Sequence, residues 1–193
     1  MRIIGGIYRG RVLRTLPGLA VRPTSGRLRE TLFDVLGDSI QGAVFVDCYA
    51  GSGAVGLEAL SRGAGQVFLI EEDREAQRVV EKNLAQLGSP VTVLLMRGSA
   101  RKVLQRLEEQ GVQARFCFLD PPYTIRSERE QTLRWLAASR LMEPAGTIII
   151  QHDRKDPLEE SRGSWKRVRL LVQGSNALSF YRRESEVRSQ EPE

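Results

Sequence analysis

The chain has only two cysteines, Cys48 and Cys117, and a single histidine, His152, among its 193 residues. The cysteines lie in separate apolar runs. They cannot build a disulfide framework, and with one histidine they do not complete a zinc ligand set. No metal is therefore expected. No apolar run approaches the ~18 residues of a membrane span, and the first residues lack the apolar stretch of a signal peptide. A reducing cytoplasm is the expected compartment. Repeats of fixed period are absent as well, which argues against solenoids and propellers.

One further absence is local. Residues 1–29 contain no acid, but they hold seven arginines: Arg2, Arg9, Arg11, Arg14, Arg22, Arg27 and Arg29. The whole chain has 29 basic and 24 acidic residues, a net charge of +5. Outside this segment 22 basic residues face the 24 acids, so the remainder is net −2. Such a segment is the electrostatic footprint of a phosphate-backbone binder. The composition is otherwise that of a folded globular chain, 41% hydrophobic and 27% charged, with a length suited to one domain.

Along the chain, Ile3-Ile4 and the alternation over 7–13 flank Gly5-Gly6 and predict a hairpin. Thr24 or Ser25 can cap a helix that ends near Gly37 or Gly42. From residue 43 onward, short apolar runs alternate with amphipathic stretches. The pattern predicts strands at 43–48, 66–71, 91–96, 116–119 and 147–151. Helices are predicted over 54–62, 74–87, 100–109 and 128–139. This alternation implies an α/β fold with a largely parallel sheet covered on both faces. Two further strands, 166–173 and 178–182, are too close in sequence for a crossover helix and should pair antiparallel. The expected organisation is an N-terminal extension (1–42), an α/β domain (43–183) and a polar, disordered tail (184–193).

Residues 47–56 read Asp-Cys-Tyr-Ala-Gly-Ser-Gly-Ala-Val-Gly, so Gly51, Gly53 and Gly56 carry the G-x-G-x-x-G spacing between a strand and a helix. That spacing alone suggests a dinucleotide fold and an NAD-dependent oxidoreductase. Asp47 argues otherwise, because a carboxylate at the strand end repels a pyrophosphate. It suits a cationic ligand such as S-adenosylmethionine, while Glu71 at the end of the next strand can accept ribose hydroxyls. Capping of the following helix is the alternative role for Asp47.

The fourth strand ends in Asp120-Pro121-Pro122-Tyr123. Two prolines make a stiff turn whose carbonyls accept hydrogen bonds without competing donors. With the Asp120 carboxylate, such a turn suits the two hydrogens of an exocyclic amine, and Tyr123 offers a face for an unstacked base. In an open α/β sheet this strand end should line the ligand crevice.

Asp-x-x-Ala-Gly-Ser-Gly with Glu71 and Asp-Pro-Pro-Tyr resembles the class I S-adenosylmethionine-dependent amino-methyltransferases. Arg-Ile-Ile-Gly-Gly at 2–6, Arg-Gly-Arg at 9–11, Arg-Pro-Thr at 22–24 and Arg-x-Arg-Glu-Thr-Leu-Phe at 27–33 narrow the match. So do Gly-Leu-Glu-Ala-Leu-Ser-Arg-Gly-Ala at 56–64 and Asn83-Leu84. Together they resemble the RsmD-type family, which methylates the N2 amine of a guanine in 16S ribosomal RNA.

The resemblance implies a Rossmann-like, seven-stranded, mostly parallel sheet with an antiparallel last strand. It implies cofactor contacts from Asp47, Ala50, Gly51, Gly53, Glu71 and Ser99, and target-base contacts from Asp120, Pro121, Pro122 and Tyr123. Arg2, Arg9, Arg11, Arg22, Thr24, Arg27 and Arg29 would meet the RNA. The expected partner is 16S rRNA within a small-subunit particle, the expected state a monomer, and no membrane is involved. A DNA adenine-N6 methyltransferase, or another nucleic-acid amino-methyltransferase, is the alternative. The chain departs from the family pattern at Ser99 and at Gly26, where family members carry acids, and at Gln173-Gly174, where Tyr-Gly is usual. His152, Trp135, Trp165 and Cys48 read as packing or loop residues.

Overall fold

Ser25, one of the two expected caps, opens the first helix. Its hydroxyl accepts the Leu28 amide proton at 3.2 Å, and α1 runs Gly26–Leu36 before Gly37 turns the chain at a φ of 50°. The computed structural model describes residues 1–16, 25–121 and 126–184. Pro122, Tyr123, Arg22, Thr24 and residues 185–193 of the expected tail lie outside them.

The chain divides into two compact units, Met1–Val103 and Leu104–Glu193. In the first, β1 (Val44–Asp47), α2 (Ala54–Ser61), β2 (Gln66–Glu71), α3 (Arg74–Gln86) and β3 (Val93–Arg97) follow α1 and a short 3₁₀ turn, Gly37–Ile40. The three strands are parallel in the order β3-β2-β1, with Val44 opposite Gln66 and Val67 opposite Val93. Helix α3 starts at Asp73, whose carboxylate accepts the Ala76 amide proton at 2.8 Å. Helix α4 (Ala100–Glu109) carries the chain across into the second unit.

There, β4 (Ala114–Leu119), α5 (Arg126–Ala138), β5 (Met142–Asp153), β6 (Ser161–Arg162), β7 (Trp165–Gln173) and β8 (Asn176–Arg183) give the order β4-β5-β8-β7-β6. β4 and β5 are parallel, and β8 is antiparallel to both β5 and β7. The terminal hairpin thus takes the antiparallel form expected from its short connection. Phe116, Cys117, Phe118 and Leu119 are all buried, as a strand covered on both faces requires.

Two strand expectations need correction. β5 begins at Met142, earlier than the apolar run suggests, because a register shift between Ala114 and Phe116 lets residues without an apolar pattern join the sheet. β6 brings the described strands to eight; it is two residues of the charged loop, paired Ser161 to Lys166 and Arg162 to Trp165.

The N-terminal hairpin also differs from expectation. Arg2 and Val12 form an isolated antiparallel bridge, so the reversal is wide and Gly5-Gly6 is not its tip. Instead the two glycines press against the end of α2. The Ile7 amide donates to the Ser61 carbonyl at 2.8 Å and the Tyr8 amide to Ser61 Oγ at 2.9 Å. Gly6 has a φ of +76°, and a Cβ there would lie 1.7 Å from the Ser61 carbonyl oxygen. Only glycine fits that approach.

Candidate active site

The glycine loop follows β1. The Ala50 amide donates to the Ile70 carbonyl at 2.9 Å, tying the loop to β2, and the Gly53 amide donates to the Ala50 carbonyl at 2.7 Å. Gly51 and Gly53 have φ values of 54° and 80°, the left-handed backbone that glycine adopts without strain. Gly56 serves a different end: a Cβ there would come within 2.2 Å of Leu69 Cδ2, so it sets how closely α2 packs on β2.

Asp47, at the end of β1, is buried. Its Oδ2 accepts the Gly56 amide proton at 3.1 Å, which makes it a cap for the first turn of α2. Its Oδ1 is buried with no hydrogen-bond partner among the described residues. Burial pushes the carboxyl up to about 7. The Gly56 and Tyr49 amides partly oppose this, and the nearby Glu71 charge adds to it.

Glu71 is half-buried at the end of β2. Its Oε2 accepts the Gly51 amide proton at 2.7 Å, and Oε1 accepts from the Glu72 and Asp73 amides at 2.8 Å each. Burial raises its pKa, and these amides oppose the rise. The Gly98 amide donates to the Glu71 carbonyl at 3.0 Å, which brings Ser99 beside the same strand ends. Asp47, Ala50, Gly51, Gly53, Glu71 and Ser99 therefore gather at the carboxyl ends of β1, β2 and β3. Two carboxylates around a loop of left-handed glycines suit a ligand with positive charge and hydroxyls. They oppose a pyrophosphate.

Asp120 and Pro121 follow the end of β4 in the second unit; Asp120 is half-buried and Pro121 buried.

The arginine segment is not uniform. Arg2, Arg9, Arg11, Arg14 and Arg27 are exposed. Arg29 is a correction, because it is only 1% exposed and cannot reach an RNA backbone. Its Nε lies 3.4 Å from the buried Glu58 carboxylate, and its Nη2 donates to the Arg2 carbonyl at 2.6 Å. The apolar face of α1 carries it inward with Leu28, Leu32 and Phe33.

Two buried polar residues, Glu58 and Asn83, entered the sequence reading only as parts of family motifs, with no role assigned. Glu58 accepts the Ile4 and Gly5 amides at 2.8 Å each, and also Arg62 Nε at 2.9 Å. Asn83 bonds the Arg14 backbone and the Ser52 carbonyl. Both left a signal. Glu58 is the one charge in the otherwise apolar helix 54–61, and Asn83 stands in the stripe of Ala76, Val80 and Leu87. A polar side chain on a packing face needs partners.

The residues read as structural behave so. His152 is buried, with Nε2 2.9 Å from Ser179 Oγ and Nδ1 2.9 Å from the Asp153 carbonyl. Trp165 is buried and its indole N–H donates to the Ala137 carbonyl at 3.1 Å. Cys48 and Cys117 are buried, and neither is in a disulfide among the described residues. No helix among the described residues is long and apolar enough to cross a membrane.

Comparison with known proteins places this arrangement. The family model described as "Conserved hypothetical protein 95" matches residues 1–182. The chain is 37% identical over 193 residues to ribosomal RNA small subunit methyltransferase D of Escherichia coli K12, covering 98% of this chain and 93% of that protein. Among solved structures, the E. coli yhhF protein is 35% identical with a TM-score of 0.81, covering 95% of this chain and 97% of that one. A hypothetical protein of Thermus thermophilus is 32% identical with a TM-score of 0.79, covering 93% and 98%.

Proposed function

The chain belongs to the RsmD family of ribosomal RNA methyltransferases, and from that premise we propose that it transfers a methyl group from S-adenosylmethionine to the N2 amine of a guanine in 16S rRNA. The observation that carries this reading is the pair of carboxylates, Asp47 and Glu71, set around the left-handed glycine loop. They fit the cofactor's donor and acceptor chemistry. The unpartnered Oδ1 of Asp47 can face a cationic ammonium, and Glu71 retains lone pairs for ribose hydroxyls beyond its three amide bonds. Ala50, Gly51, Gly53 and Ser99 complete this half of the site. When bound, S-adenosylmethionine supplies an electrophilic methyl on a sulfonium.

The chain's own task is then to hold an amine. Asp120 and a backbone carbonyl of the proline turn accept its two hydrogens, which favours pyramidal nitrogen and aims its lone pair at the methyl. Pro121 and Pro122 stiffen that turn, and Tyr123 stacks on the base once it has left its helix. The amine need not lose its proton before attack, so orientation rather than base strength sets the rate. Arg2, Arg9, Arg11, Arg22, Thr24 and Arg27 lie along the RNA. A small-subunit particle, a monomeric enzyme and a cytoplasmic location complete the proposal.

Methyl transfer from tritiated S-adenosylmethionine tests it directly. Small-subunit particles from cells lacking the enzyme should become labelled, and nuclease digestion with mass spectrometry should show N2-methylguanosine. Asp120→Ala should lower the rate by roughly a thousandfold or more, with calorimetric affinity for the cofactor within about twofold of wild type. Methyladenosine as the product, or no label with folded protein, would reject the reading.

A further inference from the structure

Asn83 is fully buried on the inward stripe of α3. Its Oδ1 accepts the Arg14 amide proton at 2.8 Å, and its Nδ2 donates to the Arg14 carbonyl at 3.1 Å. One side-chain amide thus binds one backbone residue twice, as a neighbouring strand would. The same Nδ2 donates to the Ser52 carbonyl at 2.9 Å. A carboxamide nitrogen has two hydrogens. Here one serves the arginine-rich segment and the other serves the glycine loop.

We propose that Asn83 couples cofactor binding to RNA binding, because one rigid amide fixes both the backbone at Arg14 and the carbonyl at the centre of the glycine loop. The inference rests on the reading that the loop holds the cofactor and the arginine segment meets RNA. Ser52 lies between Gly51 and Gly53, both left-handed, so the direction of its carbonyl follows the shape of the loop. A ligand that fixes the loop fixes the amide plane, and that plane sets the Arg14 backbone. Arg14 itself has an exposed side chain, so the link ends on a cation that can meet a phosphate. Movement of either partner away from Asn83 leaves a buried donor without an acceptor, which disfavours independent motion. Coupling of this kind is reciprocal: RNA bound along the segment tightens the cofactor by the same factor that the cofactor tightens RNA. Asn83 is a positioning residue, since it touches neither ligand in this scheme.

Hydrogen exchange on the wild-type protein tests the link without RNA. S-adenosylhomocysteine alone should slow exchange at the Arg14 amide, and unchanged exchange there on saturation would overturn the proposal. Calorimetry then measures the coupling. Small-subunit particles from cells lacking the enzyme should tighten S-adenosylhomocysteine about fivefold or more in wild type, falling to within about twofold of no effect in Asn83→Ala. Full coupling in a folded Asn83→Ala chain would also overturn it. Should that variant not fold, Asn83→Asp keeps the acceptor to the Arg14 amide and, when ionised, lacks both donors; the same loss of coupling is expected. If the particles fail to bind wild type, the reading of the arginine segment falls, while exchange at Arg14 still decides the link.

Discussion

Asp47 carries two roles in one carboxylate. Oδ2 caps α2 through the Gly56 amide, and Oδ1, buried without a partner among the described residues, is the atom the proposed function assigns to the cofactor. The cost of the second role is visible in the acid's titration, raised to about 7 chiefly by burial. Its folded value lies above the unfolded carboxylate value of about 4. The folded state therefore binds more protons than the unfolded state between roughly pH 4 and pH 7, and stability falls as pH rises through that window. Above it the deficit stays constant. Comparing urea midpoints of apo wild type and Asp47→Asn isolates this group from Glu71, whose value burial also raises. From about pH 5 to about pH 8, wild type should lose stability relative to the variant. Saturating S-adenosylhomocysteine should shrink the difference, because its ammonium compensates the charge. Parallel pH profiles for the two apo proteins would rule out Asp47 as the cause.

At the scale of elements, α2 is the part on which the N-terminal segment is built. Its apolar residues pack on the sheet, while Glu58 turns a full charge inward to four donors: the amides of Ile4 and Gly5 and the guanidinium groups of Arg29 and Arg62. Arg29 and Glu58 are both almost completely buried. Such a pair adds little by its existence but is costly to break, since the remaining partner is stranded in a low-dielectric interior. Glu58→Gln should destabilise the protein by about 3–5 kcal/mol in urea unfolding. It should also increase proteolysis within residues 1–16, whose attachment to α2 depends on those bonds. A loss under about 1 kcal/mol would show that Arg29 finds water instead. The segment is thus no free arm. It is a structural layer on α2 with an arginine-bearing outer side.

For the whole molecule, the division of charge remains but its distribution over the surface changes. Of the seven arginines before residue 30, Arg29 is neutralised inside the fold, and Arg2, Arg9, Arg11, Arg14 and Arg27 are exposed. The rest of the chain, net −2, adds no general attraction for a polyanion. RNA affinity should therefore fall with salt largely through this segment. Replacing Arg9, Arg11 and Arg27 together by Gln should flatten the slope of log K against log salt by roughly 0.7–0.9 per lost phosphate contact. Affinity for S-adenosylhomocysteine without RNA should stay within about twofold. Equal loss of both affinities would mean that these side chains support the fold rather than the RNA.

The sequence by itself determined whatever depends on short-range pattern. The alternation of apolar runs with amphipathic stretches gave the βα order, since each element's period is written in consecutive residues. Thr24 or Ser25 and Gly37 or Gly42 bracketed α1, and the short gap between the strands expected at 166–173 and 178–182 required an antiparallel hairpin. The gathering of Asp47, Gly51, Gly53 and Glu71 was also legible, because strand–turn–helix units put strand ends on one edge of a sheet. Only the tertiary structure decided how distant residues share bonds. Gly5-Gly6 looks like a hairpin tip until Ser61, 55 residues beyond Gly6 in sequence, occupies the space beside it. Arg29 looks like its exposed neighbours until Glu58 receives it. Asn83 looks like part of a family motif until Arg14 and Ser52 converge on its amide. Charge and period are properties of neighbours along the chain, whereas burial and hydrogen-bond partnership belong to residues the fold brings together.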